Sequence, residues 1–191
     1  LDHQIAGNLV LDDTDTTSLS LTSSAYGSID FNTALVTNSS NLKDVTLTAA
    51  TYGDITFDTV ADIEELQNLT ITASGVSADV NLGIMGGTTV STALSTLTAT
   101  ATGGGSIDFA AISANANLST VTVSADGTNS SVVPTGALTT NNGGISAVTV
   151  TSTGRGNVDM TAFDMTVGSG LVGAFTASAT GRGTIDLNGF A

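Results

Sequence analysis

The chain contains no cysteine, no tryptophan and a single proline, and only three of its 191 residues are lysine or arginine. Each shortage closes off a class of function. Without cysteine there is neither a disulfide framework nor a thiolate-bound zinc or iron site. Lys43, Arg155 and Arg182 stand against 17 Asp and Glu, giving a formal net charge of -14, so nucleic acid and anionic membrane surfaces are poor partners. Charged residues make up only 10% of the chain, too few to solvate the outer faces of long amphipathic helices. No apolar run approaches the roughly 20 residues of a membrane span, so direct membrane insertion is not expected. The single histidine, His3, lies near the N-terminus, so a Ser-His-Asp triad or a histidine metal site would rest on one frayed residue, and no enzyme is expected. What fills the chain instead is Thr, Ser, Asn and Gly around a hydrophobic content of 40%, ordinary for a globular protein. Residues 1–191 read as one domain, and with Leu1 in place of a Met or signal-like start, as a segment of a longer chain.

The remaining residues repeat. The pattern L-x-x-[LV]-T-x-[TS] recurs from Leu42, Leu66, Leu94 and Leu118, with looser copies at Leu19, Ile145 and Leu171, at spacings of 24 to 28 residues. A second patch follows each anchor: G-S-I-D-F at Gly27 and Gly105, G-D-I-T-F at Gly53, G-N-V-D-M at Gly156 and G-T-I-D-L at Gly183, with weaker copies at Ala78 and Ser130. A third apolar position comes shortly after, at Leu35, Val60, Ile84, Ile112, Leu138, Phe163 and Phe190. Within V-T-L-T and I-D-F the apolar residues sit two apart, the period of a strand, and β-branched residues dominate. One helical turn is conceivable only from Ala61 to Asn68.

Three short strands per unit, in the same order each time, predict an all-β, right-handed parallel β-helix (β-solenoid) of about seven coils of 24 to 28 residues. A hairpin-built β-sandwich is the competing architecture, but it does not require three patches in fixed order in every unit. Val45, Leu47, Leu69, Ile71, Leu97, Val121, Val123, Val148, Val150, Ile29, Ile55, Ile107, Val158 and Ile185 should share one core. The chain stops one residue after Phe190 with no polar capping helix, so the C-terminal edge is expected to continue into a further domain or to dock on another copy.

Stacking would align several residues that can carry chemistry. Thr46, Thr70, Thr98, Thr122, Thr149 and Thr176 form an outward ladder, similar to the ice-binding faces of some antifreeze proteins, although coils differing by four residues argue against a regular ice-binding face. Asp30, Asp108, Asp159 and Asp186 occupy one slot of the second patch. Asp159 and Asp186 fall in successive coils, where two carboxylates about 5 Å apart repel by roughly 0.8 kcal/mol in water and a calcium ion would relieve them. Arg155 and Arg182 occupy equivalent T-G-R-G turns and are candidate assembly contacts for an acidic neighbour. Tyr26 and Tyr52 are equivalent turn residues and the only candidate platform for sugar.

The enrichment in Thr, Ser, Gly, Asn and Asp, the lack of cysteine and the stacked G-x-[IV]-D-[FL] units together resemble the solenoid segments of bacterial surface-layer proteins and large secreted repeat-in-toxin adhesins. The resemblance implies an extracellular, cell-surface, non-enzymatic structural module that self-associates, with calcium as the candidate cofactor and cell-surface glycan as a further candidate partner. The calcium-binding nonapeptide G-G-x-G-x-D-x-φ-x is approached only at Gly103–Ala111, where Ser106 replaces the third glycine of the motif. A ligand-binding face, for ice through the threonine ladder or for glycan, is the alternative reading.

Overall fold

The structure, a computed structural model, describes residues 4–6, 10–11, 15–31, 35–37, 41–61, 65–85, 93–114, 118–140, 143–162, 165–167 and 172–188. Among these every regular element is a strand, and every pairing between strands is parallel. A first sheet stacks seven strands in chain order: β3 (Ser18–Ser24), β6 (Asp44–Ala50), β8 (Asn68–Ser74), β10 (Thr96–Thr102), β13 (Leu118–Asp126), β16 (Ile145–Thr153) and β19 (Val172–Ala179). A second stacks β1 (Gln4–Ala6), β4 (Ser28–Phe31), β7 (Asp54–Ala61), β9 (Asp79–Met85), β11 (Ser106–Phe109), β14 (Ser131–Pro134), β17 (Asn157–Asp159) and β20 (Thr184–Asp186). A third line of short strands joins it: β2 (Val10–Leu11), β5 (Leu35–Thr37), β12 (Ile112–Ala114), β15 (Leu138–Thr140) and β18 (Met165–Val167). The molecule is a parallel β-solenoid.

Two details differ from the sequence reading. β7 and β9 each carry the second and third patches in one continuous strand, so those coils have two strands and not three. The closed turns are also slightly fewer than seven: β1 and β2 have no rung beneath them in the first sheet, and no third strand is described after β20. Of the suggested helical turn, Ala61 and Asn68 lie in strands β7 and β8, while residues 62–64 fall outside the described residues, as do Phe163, Phe190 and His3.

Alternation places the core. Along β6, β8 and β10 every second residue is buried, so one face of every coil turns inward against the facing sheet. Every residue expected in the core is buried except Ile185, which is partly buried in the last described coil. The column nearest the first turn is small throughout: Ser23, Ala49, Ala73, Ala101, Ala125 and Ser152. The reason is the turn above. A Cβ on Gly105 or Gly156 would run into the backbone carbonyl of Ala73 or Ala125 in the preceding coil, so only glycine lets the corner backbone come that close. The buried hydroxyls of Ser23 and Ser152 are satisfied, each donating to a corner carbonyl, Gly27 O and Gly156 O, at 2.7 Å. At the C-terminal edge β19 has a neighbour on one side only, and its inward-column residue Phe175 is 37% exposed.

Candidate functional site

Three outward surfaces bring the candidate residues together, and each is set by strand register. On the first sheet the threonine column is continuous: Thr46 pairs Thr70, Thr70 pairs Thr98, Thr98 pairs Thr122, Thr122 pairs Thr149 and Thr149 pairs Thr176. Two residues along, a second column runs in the same register through Thr22, Thr48, Thr72, Thr100, Ser124, Thr151 and Ser178. The side chains of the inner rungs are half-buried.

The expectation that unequal coils spoil this grid is overturned. Successive rungs are offset by 26, 24, 28, 24, 27 and 27 residues, yet all seven strands stay in register over this surface. The extra residues go elsewhere. One is absorbed in the first turn of the β8 and β13 coils, where four residues replace three, and the rest lie beyond the second sheet. The seven strands carry only two charged residues, Asp44 and Asp126. Asn68 donates to Asp44 at 2.7 Å, and Thr153 Oγ1 donates to Asp126.

The second sheet carries the acids. Asp30 pairs Thr56, Thr56 pairs Asn81, Asn81 pairs Asp108, and at the far end Asp159 pairs Asp186, so the four candidate ligands do lie in one column. They are not equivalent. Asp159 Oδ1 accepts from Thr161 N at 3.0 Å and Thr161 Oγ1 at 2.7 Å, and these bonds hold its carboxyl below the usual carboxylate range. Asp186 Oδ1 accepts from Asn188 N at 3.0 Å, and Asp108 Oδ1 from Thr135 Oγ1 at 3.1 Å. Three of the four candidate ligands, Asp108, Asp159 and Asp186, are thus engaged by their own turns or a neighbouring coil. Among the described residues no three His, Cys, Asp or Glu converge as a metal-binding group.

The sequence reading missed a neighbouring column. Asp54 and Asp79 are direct register partners on β7 and β9. Loss of solvent around Asp79 and, second, the Asp54 charge push the Asp79 carboxyl above its usual range. Oδ1 of Asp54, like that of Asp30, is buried without a hydrogen-bond partner. The signal was present in G-D-I at Gly53 and A-D-V at Ala78, where Asp follows the turn in consecutive units.

The third surface is the corner of turns between the sheets. Arg155 and Arg182 are both exposed there, in register through Asn157 and Thr184, with Arg182 N donating to Gly154 O at 2.6 Å. Gly154 and Gly181 take φ of 64° and 68° at the first central position, as a type II′ turn asks of glycine. At the opposite end of the corner, Tyr26 and Tyr52 stack with ring centroids 4.6 Å apart and planes 6° from parallel. Their turns are unusual: Ala25, Tyr26, Thr51 and Tyr52 have φ of 53°, 67°, 30° and 62°, where the equivalent turn of β10 uses Gly103 and Gly104. Each left-handed non-glycine residue costs on the order of 1 to 2 kcal/mol, whereas one aromatic stack returns about 0.5 to 1.5 kcal/mol.

Set beside known proteins, the chain matches no family model, no curated protein and no solved structure. The fold defines its class, a parallel β-solenoid repeat protein with one nearly uncharged hydroxyl face, one acidic face and a turn corner. No helix among the described residues is long and apolar enough to cross a membrane.

Proposed function

We propose that this chain is a non-enzymatic structural module of a bacterial surface layer or secreted adhesin, and that copies of it pack side by side through the first sheet. One observation carries the reading: in a chain of net charge -14, the seven in-register strands of that sheet carry only Asp44 and Asp126. Self-repulsion opposes contact between copies through the acidic second sheet. Two flat threonine faces can approach with methyls interleaved and hydroxyls paired or water-bridged, at little electrostatic cost. The extracellular setting rests on the likeness in composition and repeat style to surface-layer and adhesin solenoids.

Divalent cations, calcium first, belong to this proposal as ions that neutralise the acidic column when copies crowd together, and not as a cage within one coil. A cation that binds only the assembled form favours assembly by mass action. Light scattering of the chain with calcium and with chelator tests the reading. Growth in particle size with concentration, enhanced by calcium, is the expected result, and a monodisperse monomer in both conditions would shift the assignment to a passive spacer.

A second reading, ice binding through the same face, is favoured by the regularity of the two threonine columns despite unequal coil lengths. Thermal hysteresis in the unmodified protein, abolished by Thr122→Tyr with the fold intact, would support it. No hysteresis removes it.

A further inference from the structure

We propose that two copies of this chain dock turn corner to turn corner in antiparallel orientation, with Arg155 and Arg182 of each copy facing Asp79 and Asp54 of the other. The proposal rests on the assembly reading and adds to it a second, charged contact beside the first sheet. Arg155 and Arg182 are exposed at the third position of successive turns that close alike, Gly156 N donating to Thr153 O at 2.9 Å and Gly183 N to Thr180 O at 3.1 Å. Their side chains therefore leave the corner one strand spacing apart, about 4.8 Å. Asp54 and Asp79 begin β7 and β9 directly after the same corner, as register partners and hence at the same spacing. One molecule thus carries two guanidiniums and two carboxylates in matching ladders along one edge.

Neither ladder is neutralised within its own copy. Among the described residues no carboxylate forms an ion pair with Arg155 or Arg182, and Asp126, the acid at the end of β13, accepts instead from Thr153 Oγ1. Asp54 Oδ1 is buried without a partner, and loss of solvent with, second, the Asp54 charge holds the Asp79 carboxyl above its usual range. The placement along the rod selects the antiparallel arrangement. Two coils, those of β10 and β13, separate the acidic pair from the basic pair. A two-fold axis between these coils puts Arg155 opposite Asp79 and Arg182 opposite Asp54, and symmetry makes both contacts again, the self-complementary pattern of an isologous dimer. The turns beside the axis let the corners approach, for residues 103–105 are all glycine and residues 127–130 hold no charge. A free polyanion is the weaker occupant, because it meets a net charge of -14 and returns no cation, whereas a second copy presents two arginines for the two it meets.

Exposed ion pairs are individually weak, so association is read by sedimentation at high protein concentration and low ionic strength. The chain carrying Thr98→Arg and Thr122→Arg, in which two arginines per copy block packing through the first sheet, serves as the background, so that failure of the first-sheet reading and failure of this one show separately. It should form dimers that added salt dissociates. Arg155→Glu with Arg182→Glu sets acid against acid, and Asp54→Arg with Asp79→Arg sets arginine against arginine, so each variant alone should associate more weakly by about tenfold or more. Their equimolar mixture should recover the dimer, because both contacts are then complementary. If a double reversal lowers the melting temperature, Arg155→Glu and Asp79→Arg make the same test at one contact. The proposal is overturned if the background chain stays monomeric, if either reversal associates as the background does, or if the mixture associates no better than its components. Retention on alginate, lost with the arginine reversal while mixing restores no dimer, would likewise overturn it in favour of an acidic polysaccharide.

Discussion

The residue that ends each turn fixes how closely two coils approach. At Gly156 an added Cβ would strike Ala125 O, a backbone atom that cannot swing aside, so Gly156→Ala must push two coils apart. Overpacking of this kind costs about 1 to 3 kcal/mol, and urea unfolding should show a midpoint lowered to match. An unchanged midpoint would mean that the corner is looser than its geometry. Asp79 gives a prediction of opposite sign. An acid whose folded pKa lies above its unfolded value holds more protons folded than unfolded, so stability falls as pH rises through that window. Asp79→Asn should therefore stabilise the protein at neutral pH. The gain should vanish in acid below the ordinary carboxylate range. Asp159 works the other way, because its lowered pKa adds stability above the unfolded value that is lost as pH falls through the folded one. Melting curves across pH for the parent and Asp79→Asn separate the two.

The strand is the scale at which most of the fold could be read from the amino acids alone. Val45 and Leu47 flanking Thr46 announce one inward and one outward face, and the same triplet in every unit announces stacking, which the paired registers bear out. Val121, on the interior strand β13, is fully buried with Leu97 and Val148 as its register neighbours. Val121→Asp would leave a charge among stacked apolar coils, with a cost of several kcal/mol. Far-UV circular dichroism should show its strand signal lost at a much lower temperature, and an unchanged melt would contradict the core assignment. What was not legible was the tolerance of the stack to unequal coils. Spacing alone counts residues without saying where a surplus goes, and the surplus is carried outside the first sheet. Nor does alternation tell that β7 runs on through Val60, because no turn residue is needed there to break the strand. The Asp54–Asp79 pairing and the left-handed tyrosine turns escaped for a related reason: both depend on what the neighbouring coil places alongside, and a single unit does not show it.

At the scale of the whole molecule the charge is segregated. The first sheet is almost uncharged, the second bears Asp30, Asp54, Asp79, Asp108, Asp159 and Asp186, and Arg155 and Arg182 stand at one end of the corner. A rod built this way has one side on which a second copy meets little repulsion, and that asymmetry is the basis of the assembly proposal. The direct test places charge on that side alone. Thr98 and Thr122 are register partners at the centre of the face with outward, half-buried side chains, so Thr98→Arg with Thr122→Arg should leave the fold intact. Negative-stain microscopy and light scattering of the two proteins, each at high concentration with calcium, is the measurement. The account predicts laterally packed assemblies for the parent and dispersed particles for the double variant, with identical circular dichroism. Dispersed monomers for both, or assemblies of the same form in both, would contradict it.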